Sequence, residues 1–226
     1  HLIVNDYNIL NFWNDNDQFV VEYKAFIDAV RDAGGKIDGI GLQAHMDRFT
    51  SKERIVRRLS LLAAPMAPTA NHPDGLPGLP IEITELDINT QQWTNATAAQ
   101  QAEVTRNVLE GAFENPSVTG VTIWVMNDGS HWRDNAILFD DSDPNNWVVK
   151  QSGQVWIDKV LGEWWEDHAG ASSSNGEYAA NTFKGTHRVT VTLNGETQEK
   201  IVTLADDETV TFAFAAEAAD ASTYDA

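Results

Sequence analysis

The sequence predicts an α/β chain of four strand–helix units, followed by a small all-β module. Three observations carry this. Strand-like runs alternate with helical patterns through roughly residue 167. Polar, chemistry-bearing residues recur at the ends of those runs with a period near 40. Beyond a small polar linker the hydrophobic period changes to two.

The first strand is read at Leu2–Tyr7. Phe19, Tyr23, Phe26, Ile27 and Val30 then recur at helical spacing, and Gly34-Gly35 ends that helix. The second strand runs from Asp38 to His45. Thr50 with Glu53 forms a capping box ahead of Ile55, Val56, Leu59 and Leu62. The third strand is Ile81–Ile88. Thr97 with Gln100 repeats the capping box ahead of Val104, Val108 and Ala112. The fourth strand, Thr119–Met126, leads into a long loop and a Trp-rich terminal helix around Val155–Leu161. Alternation of this kind implies a parallel sheet with helical crossovers.

The spacing says more than the pattern. Asn5 to His45 is 40 residues, His45 to Glu85 is 40, and Glu85 to Trp124 is 39. That period suits one βα unit with a functional loop, and eight such units would build a (β/α)8 barrel. Four parallel strands cannot close a barrel alone. The chain is therefore either an open α/β sheet or the second half of a barrel, and a start at His1, with no initiator Met or signal peptide, favours the second.

Residues 168–176 are small and polar and read as a linker. In residues 177–220, Val189, Val191 and Leu193 alternate with threonines, and Asn194-Gly195 signals a hairpin. Ile201–Leu204 and Val210–Phe214 read as further strands, giving a small sandwich-like β module and a polar tail at 221–226.

Composition narrows the function. With 34 acidic and 15 basic residues the net charge is −19, which argues against binding nucleic acid or anionic membrane, since either requires a basic face. The acid is dispersed, which fits either a saline habitat or an ordinary acidic secreted protein. No apolar run reaches the roughly 18 residues of a membrane span. Cysteine is absent, so no disulfide contributes.

The chemistry gathers at strand ends. Alternation puts Gly39, Gly41, Gln43 and His45 on one face of the second strand, Ile81, Ile83, Glu85 and Asp87 on one face of the third, and Thr122 and Trp124 on one face of the fourth. A carboxylate at a strand end is commonly a solvated loop acid. Three such residues at matching depth on consecutive strands point instead to an active site at the C-terminal end of a barrel. A histidine beside Glu85 would keep a nucleophilic carboxylate ionised and oriented, and Asp87 could hold the other ring nitrogen. His45, Asp47 and His72 match no zinc spacing, and neither a phosphate-cradling loop nor a serine elbow is present. Trp93, Trp124, Trp132 and Trp147 fall in or near loops where indole faces can stack on sugar rings, while Trp156, Trp164 and Trp165 read as core.

Taken in order, Asn5-Asp6-Tyr7-Asn8, Ile37-Asp38-Gly39-Ile40-Gly41-Leu42-Gln43-Ala44-His45, Ile83-Thr84-Glu85-Leu86-Asp87, Val121-Thr122-Ile123-Trp124 and Ser130-His131-Trp132-Arg133 resemble glycoside hydrolase family 10 over roughly residues 1–167. The resemblance implies strands five to eight of a TIM (β/α)8 barrel and a retaining endo-1,4-β-xylanase. Other retaining β-glycanases, or a non-catalytic carbohydrate-binding barrel, are the alternatives. It implies Glu85 as nucleophile, His45 bonded to it and Asp87 in support. Gln43, Trp124, Trp132, Tyr7 and Asn5 are implied on the substrate side. It further implies xylan as substrate, no cofactor, a secreted setting and a monomer when full length. Two departures stand out. His131 lies between Ser130 and Trp132, where the family has Ser-Trp in sequence. The family's acid/base glutamate follows a Trp-x-x-x-Asn-Glu segment that would precede His1, so these 226 residues alone are expected to be inactive.

Overall fold

A computed structural model describes residues 1–11, 16–90 and 97–215. The chain divides into two compact units, His1–Trp165 and Glu166–Ala226.

The first unit is built on a parallel sheet. Strands β1 (Ile3–Asp6), β2 (Gly39–Leu42), β4 (Ile81–Ile88) and β5 (Val118–Ile123) lie side by side in that order. A two-residue strand, β3 (His45–Met46), pairs with β4 beyond β2. Parallel neighbours need crossovers, and helices α1 (Gln18–Asp32), α2 (Lys52–Ala63) and α3 (Ala98–Phe113) supply them. The expected second strand is thus two pieces, because Ala44 takes a left-handed φ of 58° and breaks it.

The core lies between sheet and helices. Ile40, Leu42, Ile81 and Ile83 of the sheet meet Val20 and Ile27 of α1, Ile55, Leu59 and Leu62 of α2, and Val104 and Val108 of α3. Each such side chain stabilises by about 1.5–3 kcal/mol when removed from water. On α1 the buried stripe is Val20, Tyr23, Ile27 and Arg31, a run of three- and four-residue steps. Phe26 stands off that stripe and is 57% exposed.

The Thr97–Gln100 capping box forms with both arms. For α2 the cap is Ser51, whose hydroxyl accepts from Arg54 N–H. Thr50 is buried and engaged elsewhere, its carbonyl accepting from Asn107. Arg58 of α2 is fully buried, donating to Asp17 and to the Leu10 carbonyl at 2.8 Å each. Arg57 also donates to Asp17, and its guanidinium holds that carboxyl below the usual range. α2 is thereby tied to the segment that leads into α1.

Two short strands, β6 (Phe139–Asp140) and β7 (Val148–Val149), pair antiparallel ahead of α4 (Gln151–Trp156), which continues as π-helical turns over Ile157–Glu163. Trp156 and Trp164 pack around Ala102, Leu109 and Val155, and Trp164 stacks on Phe113 with centroids 4.2 Å apart. Trp165 departs from the expected core role and is 67% exposed.

The second unit corrects the expected sandwich. Strands β8 (Gly185–Leu193) and β9 (Glu196–Leu204) form one antiparallel hairpin, turned at Asn194 and Gly195 with φ of 51° and 84°. Val210–Phe214 is not a strand; Lys200 and Gln198 side chains bond the carbonyls of Thr211 and Ala213 instead. A sandwich needs a second sheet to bury an apolar face. Among the described residues of this unit none is buried. Among the described residues no helix is long and apolar enough to cross a membrane.

Candidate active site

The face of the sheet opposite Ile40 and Leu42 carries the chemistry. Gly41 lies in register with Asn5 of β1. A Cβ at Gly41 would stand 2.7 Å from Asn5 Oδ1, so the glycine is what lets the asparagine side chain lie across β2.

Simple alternation fails on β4. Ile81 and Ile83 pack in the helix-side core, and so do Leu86 and Ile88, whose parity is opposite. The pairing of β4 with β5 shifts register between Ile83 and Leu86, so an irregularity at Thr84–Glu85 resets the faces. Without it Glu85 would follow Ile81 and Ile83 into the core. With it, Thr84 donates to Asn5 Oδ1 at 3.1 Å, and Glu85 and Asp87 both reach His45.

Glu85 Oε1 accepts from Asn5 Nδ2 at 3.4 Å, and Oε2 lies 3.2 Å from His45 Nε2. His45 Nδ1 lies 2.5 Å from Oδ2 of the buried Asp87. An ionised carboxylate only accepts, so the proton on that line sits on Nδ1. Nε2 then faces a second carboxyl, and one proton must lie between them too. The trio is either imidazolium with two carboxylates or imidazole with one carboxylic acid. The first leaves Glu85 ionised and aimed, as a nucleophile requires. Asn11 donates to the His45 carbonyl at 3.3 Å and to Asp47 Oδ1 at 2.6 Å, fixing the backbone beneath the ring.

Two indoles meet the imidazole edge-on, Trp132 at 5.4 Å and Trp124 at 6.5 Å between centroids. Trp132 also lies under the Arg133 guanidinium at 4.3 Å, yet remains 62% exposed. The backbone is strained beside both the histidine and the first indole. Ala44 precedes His45, and Val125, a β-branched residue with φ of 70°, follows Trp124. Positive φ at such residues is costly and clusters at functional sites.

Asn5, His45, Glu85, Asp87, Trp124 and Trp132 thus form one contiguous group. Tyr7 and Gln43 stand on the adjoining ends of β1 and β2, linked through Asp6, which accepts from both backbone N–H groups. Tyr7 is exposed and Gln43 half-buried. Trp147 lies beside Phe139, 6.3 Å between centroids, and Trp93 falls outside the described residues. Sequence reasoning missed Asn11 and the Arg133 side chain, whose Nη1 is 3.3 Å from Asp87 Oδ1. Neither carries a local signal, since each acts across a long sequence separation. Among the described residues no group of three or more potential metal ligands occurs.

The family described as Glycosyl hydrolase family 10 matches residues 1–150. Endo-1,4-beta-xylanase B of Thermotoga neapolitana is 31% identical over 151 residues, covering 62% of this chain and 39% of that protein. Anti-sigma-I factor RsgI6 of Acetivibrio thermocellus is 29% identical over 178 residues, covering 76% of this chain and 20% of that protein. Among solved structures, native xylanase 10B from Thermotoga maritima superposes with a TM-score of 0.52 at 27% identity, over 72% of this chain and 47% of the other. Xylanase 10B from Thermotoga petrophila in complex with xylobiose gives 0.53 at 27% identity, over 72% and 46%. The chain spans about half of these solved structures and a smaller share of the curated relatives.

Proposed function

The chain belongs to glycosyl hydrolase family 10, and from that membership we propose that it is the nucleophile-bearing half of a retaining endo-1,4-β-xylanase. Its parallel sheet is a curled half of a TIM barrel. The observation that carries the proposal is the chain of contacts Asn5–Glu85–His45–Asp87 at the C-terminal ends of β1, β3 and β4.

In this reading Glu85 attacks the anomeric carbon of a xylose unit and forms a glycosyl-enzyme. A retaining enzyme needs a second carboxyl about 5–5.5 Å away to protonate the leaving oxygen and then activate water. Among the described residues Glu85 is bonded to Asn5 and His45. The second carboxyl is expected on a strand preceding β1. His45 keeps Glu85 ionised, Asn5 orients it, and Trp124 and Trp132 flank the sugar being cleaved. Gln43 and Tyr7 extend the binding surface along the strand ends. The polypeptide of these 226 residues alone does not hydrolyse xylan. The complete protein works as a monomer outside the cell without a cofactor, although one solved xylanase of like fold is described as intracellular.

A protein that also contains the residues upstream of His1 is expected to cut xylan in preference to carboxymethyl-cellulose, releasing product with retained anomeric configuration. Preference for carboxymethyl-cellulose would move the reading to another β-glycanase, and hydrolysis by the 226-residue chain alone would overturn the half-site. One relative is named as an anti-sigma factor and not as an enzyme, which keeps open one second reading, a family barrel that binds carbohydrate without cutting it. An upstream protein that binds xylo-oligosaccharide but leaves xylan intact would select it.

A further inference from the structure

Three nitrogen-bearing side chains converge on Asp87, whose carboxyl is shut from solvent. His45 Nδ1 lies 2.5 Å from Oδ2, His131 Nε2 lies 3.3 Å from the same oxygen, and Arg133 Nη1 lies 3.3 Å from Oδ1. The Glu85 chemistry accounts for His45, and Arg133 has both Asp87 and the Trp132 ring. His131 is unused.

Its side chain is fully buried. Its Nδ1 lies 2.9 Å from the Arg133 backbone nitrogen and 2.8 Å from the Arg133 carbonyl oxygen, so it can accept from the first or donate to the second. The Nε2 edge decides between them: it faces the Asp87 carboxylate, which only accepts, so the proton belongs on Nε2 and Nδ1 accepts from Arg133 N–H. That Nε2 is buried with no hydrogen-bond partner, being within ion-pair distance of Asp87 Oδ2 but outside hydrogen-bond geometry. A buried N–H left without an acceptor is costly, and Asp87 Oδ2 is the acceptor in reach after a small rotation of the ring. The carboxylate oxygen has lone pairs for both imidazoles. Two donors on one oxygen divide its charge, so each bond is weaker than either would be alone.

We propose that His131 is a positioning residue of the Glu85 site, a second imidazole that shares Asp87 Oδ2 with His45 and so sets how firmly the histidine facing Glu85 is held. The role in catalysis rests on the reading of Glu85 as nucleophile. The shared oxygen does not, and it can be read without substrate.

The experiment is imidazole NMR on the 226-residue chain labelled with 15N-histidine. His131 is expected as the Nε2–H tautomer. In His131→Ala the Nδ1 proton of His45 should move further downfield, as Asp87 gives its charge back to one partner. In His131→Gln, whose amide can donate from nearly the same place, it should return toward its original position. A Nδ1–H tautomer at His131 in the unmutated chain overturns the proposal. So does a His45 signal that stays put in a folded His131→Ala chain. Xylan hydrolysis tests the Glu85 reading separately, so failure of one leaves the other standing.

Discussion

Asp87 Oδ2 lies 2.5 Å from His45 Nδ1, and this contact fixes which ring nitrogen is left for Glu85. The carboxylate accepts from Nδ1–H, so the ring can also donate from Nε2 to Glu85 only as an imidazolium. A buried acid thereby acts on Glu85, which it does not touch.

Asp87→Asn tests that relationship. The amide can turn either its oxygen or its NH2 toward Nδ1, and it carries no charge to hold the imidazolium. In a protein that supplies both carboxyls, kcat on xylan should fall by up to roughly 10⁴-fold, the loss seen when the acid orienting a catalytic histidine is made neutral. KM should change little. A kcat within twofold of the parent would show that His45 is oriented by something else.

Gly41→Ala should disturb the same site from the other side. The added methyl would stand 2.7 Å from Asn5 Oδ1 and 2.9 Å from Asn5 Cβ. Overpacking of this kind costs about 1–3 kcal/mol, read by chemical unfolding. Because the clash is with one side chain, the cost should shrink in an Asn5→Ala background. Equal costs in the two backgrounds would rule out Asn5 as the neighbour that demands glycine.

Much of this was legible in the sequence where a local rule decides. β4 runs from Ile81 to Ile88 as its apolar pattern predicts, and the Thr97 capping box and the Asn194-Gly195 turn form as their residue types require. The reading failed where tertiary demands override local ones. Thr50 has the chemistry of a cap but is buried, so the cap moves to Ser51. Strict alternation put Glu85 on the face of Ile81 and Ile83, and only pairing with β5 reveals the shift that turns it toward His45. Arg133 and Asn11 reach the site from 46 and 34 residues away, at separations without any periodic signal.

Acid should loosen the tie between α2 and the segment before α1. Arg57, and with it Arg58, lowers the carboxyl of Asp17. A carboxyl whose folded value is depressed contributes stability that is fully present above the unfolded value of about 3.9. That contribution fades as pH falls through the lower, folded value. Asp17→Asn should therefore cost about 3 kcal/mol near neutral pH, since it removes the carboxylate that the fully buried Arg58 shares with Arg57. The gap between variant and parent should narrow as pH drops below the ordinary carboxylate range. A gap constant from neutral pH into strong acid would mean that the charge is not what matters.

Trp132 gives the most direct test of carbohydrate recognition, because it is held yet open. The Arg133 guanidinium covers one part of the indole and the His45 edge supports another, while 62% of the residue still meets solvent. A pinned aromatic surface loses little conformational freedom when a ligand covers it. Covering about 80 Å² of apolar surface at about 25 cal/mol per Å² is worth about 2 kcal/mol. Trp132→Ala should thus weaken xylo-oligosaccharide binding by roughly thirtyfold in Kd, measured by titration calorimetry. Trp132→Phe keeps part of the flat face and should lose less. Because the side chain is exposed, neither change should shift folding stability by more than about 0.5 kcal/mol. Unchanged sugar affinity in a stably folded Trp132→Ala protein would remove Trp132 from the binding surface and leave it only as packing against His45.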